Sequence, residues 1–419
     1  MLDQLPMAAD FDPTRSAALA RLQAFLPSAG RAYANTRNAD YGPDDRSNVS
    51  ILSPYIRHRL LLETEVLDAV LGRFALSTSE KFVQEVFWRT YFKGWLEQRP
   101  SVWTAYRDDV THFANEIDGG GQLAKRYHQA VGGRTGIACF DAWSQELIET
   151  GYLHNHARMW FASIWIFTLD LPWQLGADFF YRHLLDGDPA SNTCSWRWVG
   201  GLHTRGKTYL ARPDNIEKYT NGRFAPHGEL ASSAPPLEEA EPHGKRPVRD
   251  CAARLPDSPV MLLITEEDAS PETLFAQASV KGAITIRATS DRSPFQIGER
   301  VAAFADGAMA DARSRTSEAF GSPVQDAGDE TDWAQLLVEQ ARALGVTDIV
   351  TAFAPVGPVA EKLAEARPKL SEADMTLHEY RRPFDDLAWP HATRGFFALK
   401  TKIPNILEDL ERGLAPRLL

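Results

Sequence analysis

The spacing of hydrophobic and polar positions changes character about halfway along the chain. From about Ser16 to Phe224 the apolar residues recur at helical intervals, with a break at the glycine-rich stretch Gly119–Gly121. A segment rich in Pro, Ala and Glu follows, and its weak periodicity predicts an extended linker over 228–257. The first part of the chain, 1–227, is therefore predicted to be a helical domain.

Short β-like runs appear after this linker. They lie at Val260–Thr265, Ala283–Ala288 and Asp348–Phe353, and helical patterns at 335–345 and 358–370 separate or follow them. Alternation of strands and helices is typical of a parallel sheet with crossover helices. The pattern predicts a Rossmann-like parallel α/β domain over 258–419, so the expected fold class is multidomain, all-helical first and α/β second.

Composition restricts the class of protein. The 419 residues are 44% hydrophobic, enough for two or three domains with their own cores. The apolar run from Trp160 to Leu171 is too short to cross a bilayer and contains Asp170, and no signal peptide is evident. Three scattered cysteines predict reduced thiols, no disulfide and no metal site. We expect a cytoplasmic monomer.

The stretch 151–198 carries the candidate chemistry. Asn155, Arg158 and Met159 would share one helix face in a nearly apolar neighbourhood. A buried Arg158 needs a counter-charge, which Asp186 or Asp188 of the DGD turn could provide. Spacing alone leaves open a purely structural ion pair that caps two helices.

This stretch resembles the FAD-binding core of the photolyase/cryptochrome family. The family pattern reads approximately W-M-H-N-R-x-R-M, a tryptophan, then D-G-D-x-A-x-N-x-x-x-W-x-W. This chain keeps the spacing without a gap, although His156 stands where the family usually has Arg. The resemblance implies an all-helical FAD-binding domain, with the Arg158–Asp186 pair over the flavin ring, Asp188 at its pyrimidine edge and Asn192 beside N5. The matching positions are His154, Asn155, Arg158, Met159, Trp173, Asp186, Asp188, Asn192, Trp196 and Trp198.

Two upstream segments agree with the resemblance. Val49–Leu60 is similar to the family's phosphate-binding turn, although an ordinary helix N-cap would look the same. Lys81–Leu96 is similar to the family's W-x-x-E-x-x-W-R pattern, with Phe82 in place of the first Trp; plain core packing is the alternative. Along this helix Glu85 and Arg89 are expected to pair. The implied FAD-binding residues are Tyr41, Ser50, Leu52, Ser53, Phe82, Glu85, Arg89, Asn155, Arg158, Asp186, Asp188 and Asn192.

The resemblance also implies roles in catalysis and electron transfer. A DNA lesion flipped into the pocket would meet Glu85, Trp88, Asn155, Met159 and Trp198, whose aromatic members suit stacked pyrimidines. Trp196 and Trp173 match the first two members of the family's electron-transfer chain. The third is unassigned, since the matching position is Gly120; Trp165, Trp103 or a tyrosine could take its place.

Charge leaves the nature of the partner open. The formal net charge is −11, which opposes simple attraction to DNA, but most of the acidic excess falls after residue 246. The candidate phosphate contacts are Arg205, Lys207 and Arg212, or these side chains belong to an ordinary solvated loop.

Three functions are consistent with the sequence. Light-driven repair of pyrimidine dimers in damaged DNA is favoured by the nearly complete lesion set. A cryptochrome-like photoreceptor without repair activity is favoured by the acidic balance and by the domain order, which is reversed relative to the family. A dark redox flavoprotein is the third. The family's second, antenna chromophore cannot be assigned, and the lesion type stays open.

Overall fold

The computed structural model describes residues 11–239 and 242–411. Most described residues before the predicted linker lie in helices. The ends of the predicted domains at residues 1 and 419, and residues 240 and 241 of the predicted linker, lie outside the described residues. The helices are Arg15–Phe25 (α1), Arg31–Thr36 (α2), Ser53–Arg57 (α3), Glu63–Leu71 (α4), Leu76–Glu97 (α5), Ser101–Asp118 (α6), Gln122–Val131 (α7), Ala138–Thr150 (α8), Asn155–Ser163 (α9), Trp173–His183 (α10), Pro189–Val199 (α11) and Pro213–Tyr219 (α12).

A five-stranded parallel sheet follows the linker. Its strand order is β3-β2-β1-β4-β5, and Leu262 in the central strand pairs with Ala283 on one side and Val350 on the other. The strands are Val260–Thr265 (β1), Val280–Ile286 (β2), Val324–Asp326 (β3), Asp348–Ala352 (β4) and Thr376–Tyr380 (β5). The helices are Glu299–Phe320 (α13), Trp333–Leu344 (α14), Pro358–Glu372 (α15), Pro383–Ala388 (α16), Phe396–Lys400 (α17) and Ile403–Glu411 (α18).

The central strand β1 separates two hydrophobic cores. Val260, Leu262 and Ile264 belong to the large core shared with the helical half, whereas Met261 and Leu263 belong to a smaller core. The alternation follows from the two-residue repeat of a strand, and full burial on both faces explains why VMLLIT is apolar throughout. The smaller core lies under α14 and α15.

The sequence located three of the five strands. The predicted Val260–Thr265 is confirmed residue for residue, and the other two predicted runs overlap β2 and β4. Strands β3 and β5 were missed because VQD is only three residues long and TLHEY contains polar and charged side chains. The predicted crossover helices correspond to α14 and α15.

Arg57 joins the helical half to the sheet. Its guanidinium donates to the carbonyl oxygen of Gly187 at 2.7 Å, to the carboxylate of Glu267 at 2.7 Å and to the carbonyl of Glu266 at 3.3 Å. Glu266 and Glu267 directly follow β1. Arg57 is completely buried, and its partners use all three of its nitrogens. This one side chain therefore fixes the DGD turn relative to the carboxyl end of the sheet.

Arg59 joins the same region to the closing segment. Its guanidinium forms ion pairs with Asp385 of α16 and, at 3.4 Å, with Asp268. Arg382 in turn holds Asp268 through two bonds of 2.6 and 2.7 Å. All four side chains are buried. The charges therefore form one paired network in which Arg59 and Arg382 share Asp268, whereas Asp385 pairs with Arg59.

The closing segment, residues 383–411, packs on α5. A Cβ atom at Gly94 would lie 2.8 Å from the Cα atom of Trp389, so the absence of a side chain permits this approach. The ring of Phe396 stacks on Trp88 with 3.8 Å between centroids and 12° between planes. The segment therefore covers part of the helix from which the predicted lesion-binding residues project.

No helix in the described part of the chain is long and apolar enough to cross a membrane. The described residues of the predicted linker form neither helix nor strand, and they run along the helical half. Arg249 pairs with Glu97 at 3.1 Å, and the backbone of Leu237 donates to Gly200.

Replacing Arg59 with Met should lower the free energy of unfolding by about 3–5 kcal/mol, because the change leaves buried carboxylates without a cation. The matched control is Arg212→Met, since the Arg212–Asp214 pair is 65% and 70% exposed and its loss should cost no more than about 0.5 kcal/mol. Urea unfolding measures both. Equal losses in the two variants would contradict the role assigned to Arg59.

Candidate functional site

The Arg158–Asp186 pair forms the centre of the site. Two parallel bonds of 3.0 Å join the guanidinium on α9 to the carboxylate before α11, and Arg158 also donates to the carbonyl of Leu153. The predicted pairing is confirmed, with Asp186 rather than Asp188 as the partner. Bidentate geometry makes this a strong, directional contact.

The turn that carries the two aspartates is closely packed. A Cβ atom at Gly187 would lie 2.7 Å from the carbonyl oxygen of Tyr181, so the position has no room for a larger residue. Asp188 then caps α11, since its carboxylate accepts from the backbone N–H of Ser191 at 2.7 Å, and Pro189 begins the helix. The turn therefore aims both carboxylates into the space between α5, α9 and α11.

Two cations of α5 face this turn. Arg89 lies 3.9 Å from Asp186 and 4.0 Å from Asp188, and the ammonium of Lys93 lies 3.6 Å from Asp188. The predicted pairing of Glu85 with Arg89 is wrong. Arg89 lies beside the two buried carboxylates instead. Glu85 pairs with Arg37, which follows α2.

The carboxylates are held in the charged form. Burial works against ionisation, but Lys93, Arg89 and Arg57 together lower the pKa of Asp188 to about 2. Against the same burial, Arg158 and Arg89 lower the pKa of Asp186, and a hydrogen bond from the Ser53 hydroxyl contributes. The site is thus an array of fixed charges with four cations around two anions.

Glu85 has the opposite character. Burial raises the pKa of its carboxyl group, although Arg37 pairs with it and partly offsets the rise. The Glu85 side chain is 33% exposed. A carboxyl group of this kind can hold a proton nearer neutrality, which suits it to hydrogen-bond or protonate a ligand.

The cluster has unused hydrogen-bonding capacity. Among the described residues, Nη1 of Arg89, Nζ of Lys93 and Oγ of Ser191 are buried without a hydrogen-bond partner. All three belong to residues beside Asp188. Buried polar groups are rarely left in this state. A bound molecule with anionic and polar edges would satisfy them, so the residues present fit the FAD that the resemblance implies.

Only part of the predicted phosphate-binding turn contacts this cluster. Ser53 begins α3 and hydrogen-bonds to Asp186, whereas Leu52 is buried and Ser50 accepts from the Leu52 backbone. Ile51 has a φ of 46°, a strained conformation for a β-branched residue. Tyr41 lies at the surface with 39% exposure, so the structure does not bring it to the cluster.

Three further predicted FAD-binding residues are placed differently. Phe82 is buried between Phe25 and Tyr33, at 5.1 Å from each ring. The amide nitrogen of Asn192 donates to the carbonyl of Ala177 at 2.7 Å. Asn155 is exposed at the first position of α9. Their roles toward the flavin stay predictions.

The predicted lesion-binding residues form the outer part of the site. Glu85, Trp88, Met159 and Trp198 are half-buried, in contrast to the buried aspartates. Trp198 stacks on Tyr209 with 5.6 Å between centroids. Because Phe396 occupies one face of Trp88, only the other face and the edges are available to a ligand.

The predicted electron-transfer residues lie in the helical core. Trp196 is 2% exposed and lies among Phe180, Phe161 and Trp165, at 5.1 to 6.4 Å between centroids. Trp173 stacks on Tyr106 at 5.9 Å. Tyr106 thus offers the next ring beyond Trp173, where the sequence left the third member unassigned.

The predicted DNA contacts Arg205, Lys207 and Arg212 are all exposed. The loop that carries the first two is anchored by His203, whose ring lies 4.4 Å from that of Trp95. Their positions are compatible with a phosphate-binding role.

Sequence reasoning missed Arg57, Lys93 and Arg37. Lys93 stands four residues after Arg89, so helical spacing could have placed it on the same face. Arg57 lies inside the quoted segment Val49–Leu60 without having been singled out. The Arg37–Glu85 contact joins residues 48 positions apart and leaves no local signal in the sequence.

Comparison with known proteins identifies relatives of the helical half. Residues 82–230 match the model of the FAD-binding domain of DNA photolyase. The chain is 30% identical to a deoxyribodipyrimidine photo-lyase of Streptomyces griseus over 220 residues, covering 48% of this chain and 46% of that protein. It is 29% identical to a cryptochrome DASH of Idiomarina loihiensis over 53% of this chain and 48% of that protein.

A solved structure is also similar to part of this chain. The crystal structure of a bacterial class III photolyase from Agrobacterium tumefaciens matches 50% of this chain and 43% of that one, with 26% identity and a TM-score of 0.42. The chain spans about half the length of the curated relatives that it matches.

Removing the central ion pair should remove the flavin. In the double variant Arg158→Met, Asp186→Asn, we expect the FAD content of the purified protein to fall at least about tenfold, because the ion pair that the resemblance puts over the flavin ring is lost. Absorbance of the released flavin per mole of protein measures this content. The control Arg126→Met removes a largely exposed pair on α7 and should leave it unchanged. Full FAD content in the double variant would show that the site is wrongly assigned.

Buried histidines should make the protein sensitive to acid. Burial lowers the pKa of His203 and His183 to about 3 and of His154 to about 4, and it lowers that of His58 as well. The unfolded chain protonates these rings near pH 6.5 while the folded chain does not. Their contribution to stability is therefore complete above pH 6.5 and declines as the pH falls toward 4.

Thermal midpoints at pH 7, 6 and 5 test this expectation. The thermal midpoint should fall across the series. His203→Gln should make this fall less steep, by the amount that corresponds to about one proton fewer taken up on unfolding. The control is His112→Gln, since His112 is exposed. An unchanged pH dependence in His203→Gln would contradict the assignment.

Proposed function

Since this chain belongs to the photolyase/cryptochrome family through its FAD-binding domain, we propose that it repairs pyrimidine dimers in DNA under blue light. One observation carries the proposal. A half-exposed set with an aromatic and a protonatable member lies outside a buried array of charges that fits the flavin. A site of this layout has one compartment for a cofactor and one for a substrate.

The helices support this division into two compartments. Helix α11 packs against both α5 and α9, so that Trp198, Glu85 and Met159 come from three adjoining elements. The same helices carry Arg89, Arg158 and the capping residue Asp188 on the inner side. An electron leaving the inner compartment would have a short path to a ligand in the outer one.

Reduced FAD, when bound and excited by light, would supply the electron that opens the dimer. The protein's own residues would orient the cofactor and the flipped dinucleotide and stabilise the developing negative charge. Arg158, Arg89 and Lys93 would hold the anionic and polar edges of the cofactor. Glu85 would hold a proton at its carboxyl group and offer it to the pyrimidine edge as negative charge develops. Trp88 and Trp198 would bound a flipped dinucleotide with apolar surface.

Return of the flavin to its reduced form is assigned to the core aromatic residues. Trp196 would be the first donor and Trp173 the second, as the resemblance implies, and Tyr106 is the proposed continuation because it stacks on Trp173. The buried position of Trp196 among aromatic rings supports this route.

The domain organisation belongs to the same proposal. We place the flavin domain at 1–227, the linker at 228–257 and an antenna-like α/β domain at 258–419, in the reverse of the family's order. The location of the helices before residue 220 and of the strands after residue 259 supports this division. The second chromophore is left unassigned.

A photoreceptor without repair activity is the second candidate. The relation to a cryptochrome DASH and the Phe396 ring on Trp88 favour it, because a covered tryptophan leaves less room for a lesion. The two functions share the flavin and its photoreduction. They differ in whether damaged DNA is consumed.

The test is repair of a dimer-containing oligonucleotide by the purified, reduced protein under blue light, with a dark control. We expect light-dependent loss of dimers, slowed about tenfold or more in Glu85→Gln, which retains flavin but cannot give up a proton. The control is Glu116→Gln, an exposed change on α6.

Two results would overturn parts of the proposal. Absence of repair in a protein that binds and photoreduces FAD would overturn the repair of this dimer and favour the photoreceptor candidate. Full repair by Glu85→Gln would leave the repair proposal standing and show that Glu85 does not supply a proton.

A further inference from the structure

Phe397 is the most exposed large hydrophobic side chain in the described part of the chain. It is 77% exposed, compared with 44% for Ile148 and 39% for Tyr41. A single exposed apolar residue is common on protein surfaces and requires no explanation by itself. The surroundings of Phe397 are what distinguish it.

Phe397 adjoins the proposed substrate compartment. Its neighbour in the chain, Phe396, is buried and stacks on Trp88. Lys400, one turn further along α17, pairs with Glu80 on α5 at 3.0 Å. The exposed ring is thereby held beside α5 on a segment anchored at both ends, so its position is fixed relative to Trp88.

The segment that carries Phe397 is basic. His391, Arg394 and Lys402 are exposed, and no acidic residue stands between Trp389 and Lys402. This contrasts with the net charge of −11 of the whole chain. We name residues 391–402 the basic face.

The basic face continues into the loop of the predicted DNA contacts. The hydroxyl of Tyr91 donates to the carbonyl of Arg394 at 2.7 Å and also lies 2.9 Å from the ring nitrogen of His203. Arg205 and Lys207 follow His203 by two and four residues. One tyrosine therefore joins two basic segments that come from distant parts of the sequence.

We propose that the basic face binds the DNA strand next to the lesion, with Phe397 stacked on an unpaired base and Arg394 and Lys402 on phosphates. Stacking of bases on aromatic side chains that alternate with cations is the usual mode of binding to single strands. A duplex opened by a flipped dinucleotide offers such bases beside the pocket. This inference rests on the proposed function, since DNA is the ligand of the same site.

Equilibrium binding to fluorescent oligonucleotides tests the proposal, with and without a dimer and as single strand and duplex. Phe397→Ala should raise the Kd for dimer-containing DNA about tenfold. Arg394→Ala and Lys402→Ala should each reduce the slope of log affinity against log salt concentration by about 1. The matched controls are Ile148→Ala and Lys281→Ala, two exposed changes away from α17. Circular dichroism and flavin absorbance verify folding.

The outcomes separate this inference from the repair function. Repair by the wild-type protein with unchanged DNA affinity in Phe397→Ala and Arg394→Ala would overturn the inference and leave repair standing. DNA binding that weakens as expected in a protein without repair activity would support the inference and overturn repair. No DNA binding by the wild type would overturn the inference and point to a protein partner.

Discussion

The arginine at position 57 determines how the two halves of this molecule meet. Its side chain is inserted between the aspartate turn of the helical half and the acidic residues that end the central strand. A buried guanidinium is tolerated only when its donors are satisfied, and here they are satisfied by groups from both halves. The geometry of the turn, and with it the direction of both aspartates, therefore depends on the sheet being in place.

The flavin site and the interface between the helical half and the α/β half are thus parts of a single arrangement of charges. Lys93 and Arg89 of α5 lower the pKa of Asp188, and so does Arg57, the residue that contacts the end of the sheet. A purely local helical scaffold would have to stabilise the same carboxylates with its own residues. This explains in physical terms why an α/β partner can be required even where no chromophore is bound to it.

The sequence predicted much of this arrangement because its signals are local. The DGD turn, the Arg158–Asp186 pair and the apolar strand β1 are all encoded within short windows. What it failed to predict depends on tertiary contacts. Glu85 pairs with Arg37 and not with Arg89, Tyr41 lies outside the cluster, and Phe396 covers Trp88 from the far end of the chain. The polar strand β5 was missed for a related reason, since its burial comes from neighbours rather than from its own composition.

The separation between Arg59 and Asp385 has a consequence for how the protein is made. These partners are 326 residues apart, so the helical half leaves the ribosome long before the segment that completes its charge network and covers Trp88. Until residue 385 emerges, buried cations and an aromatic face remain in water, a situation that slows folding and invites aggregation. Translation order therefore makes the arrival of Asp385 and Phe396 the step that completes the surroundings of Arg59 and Trp88.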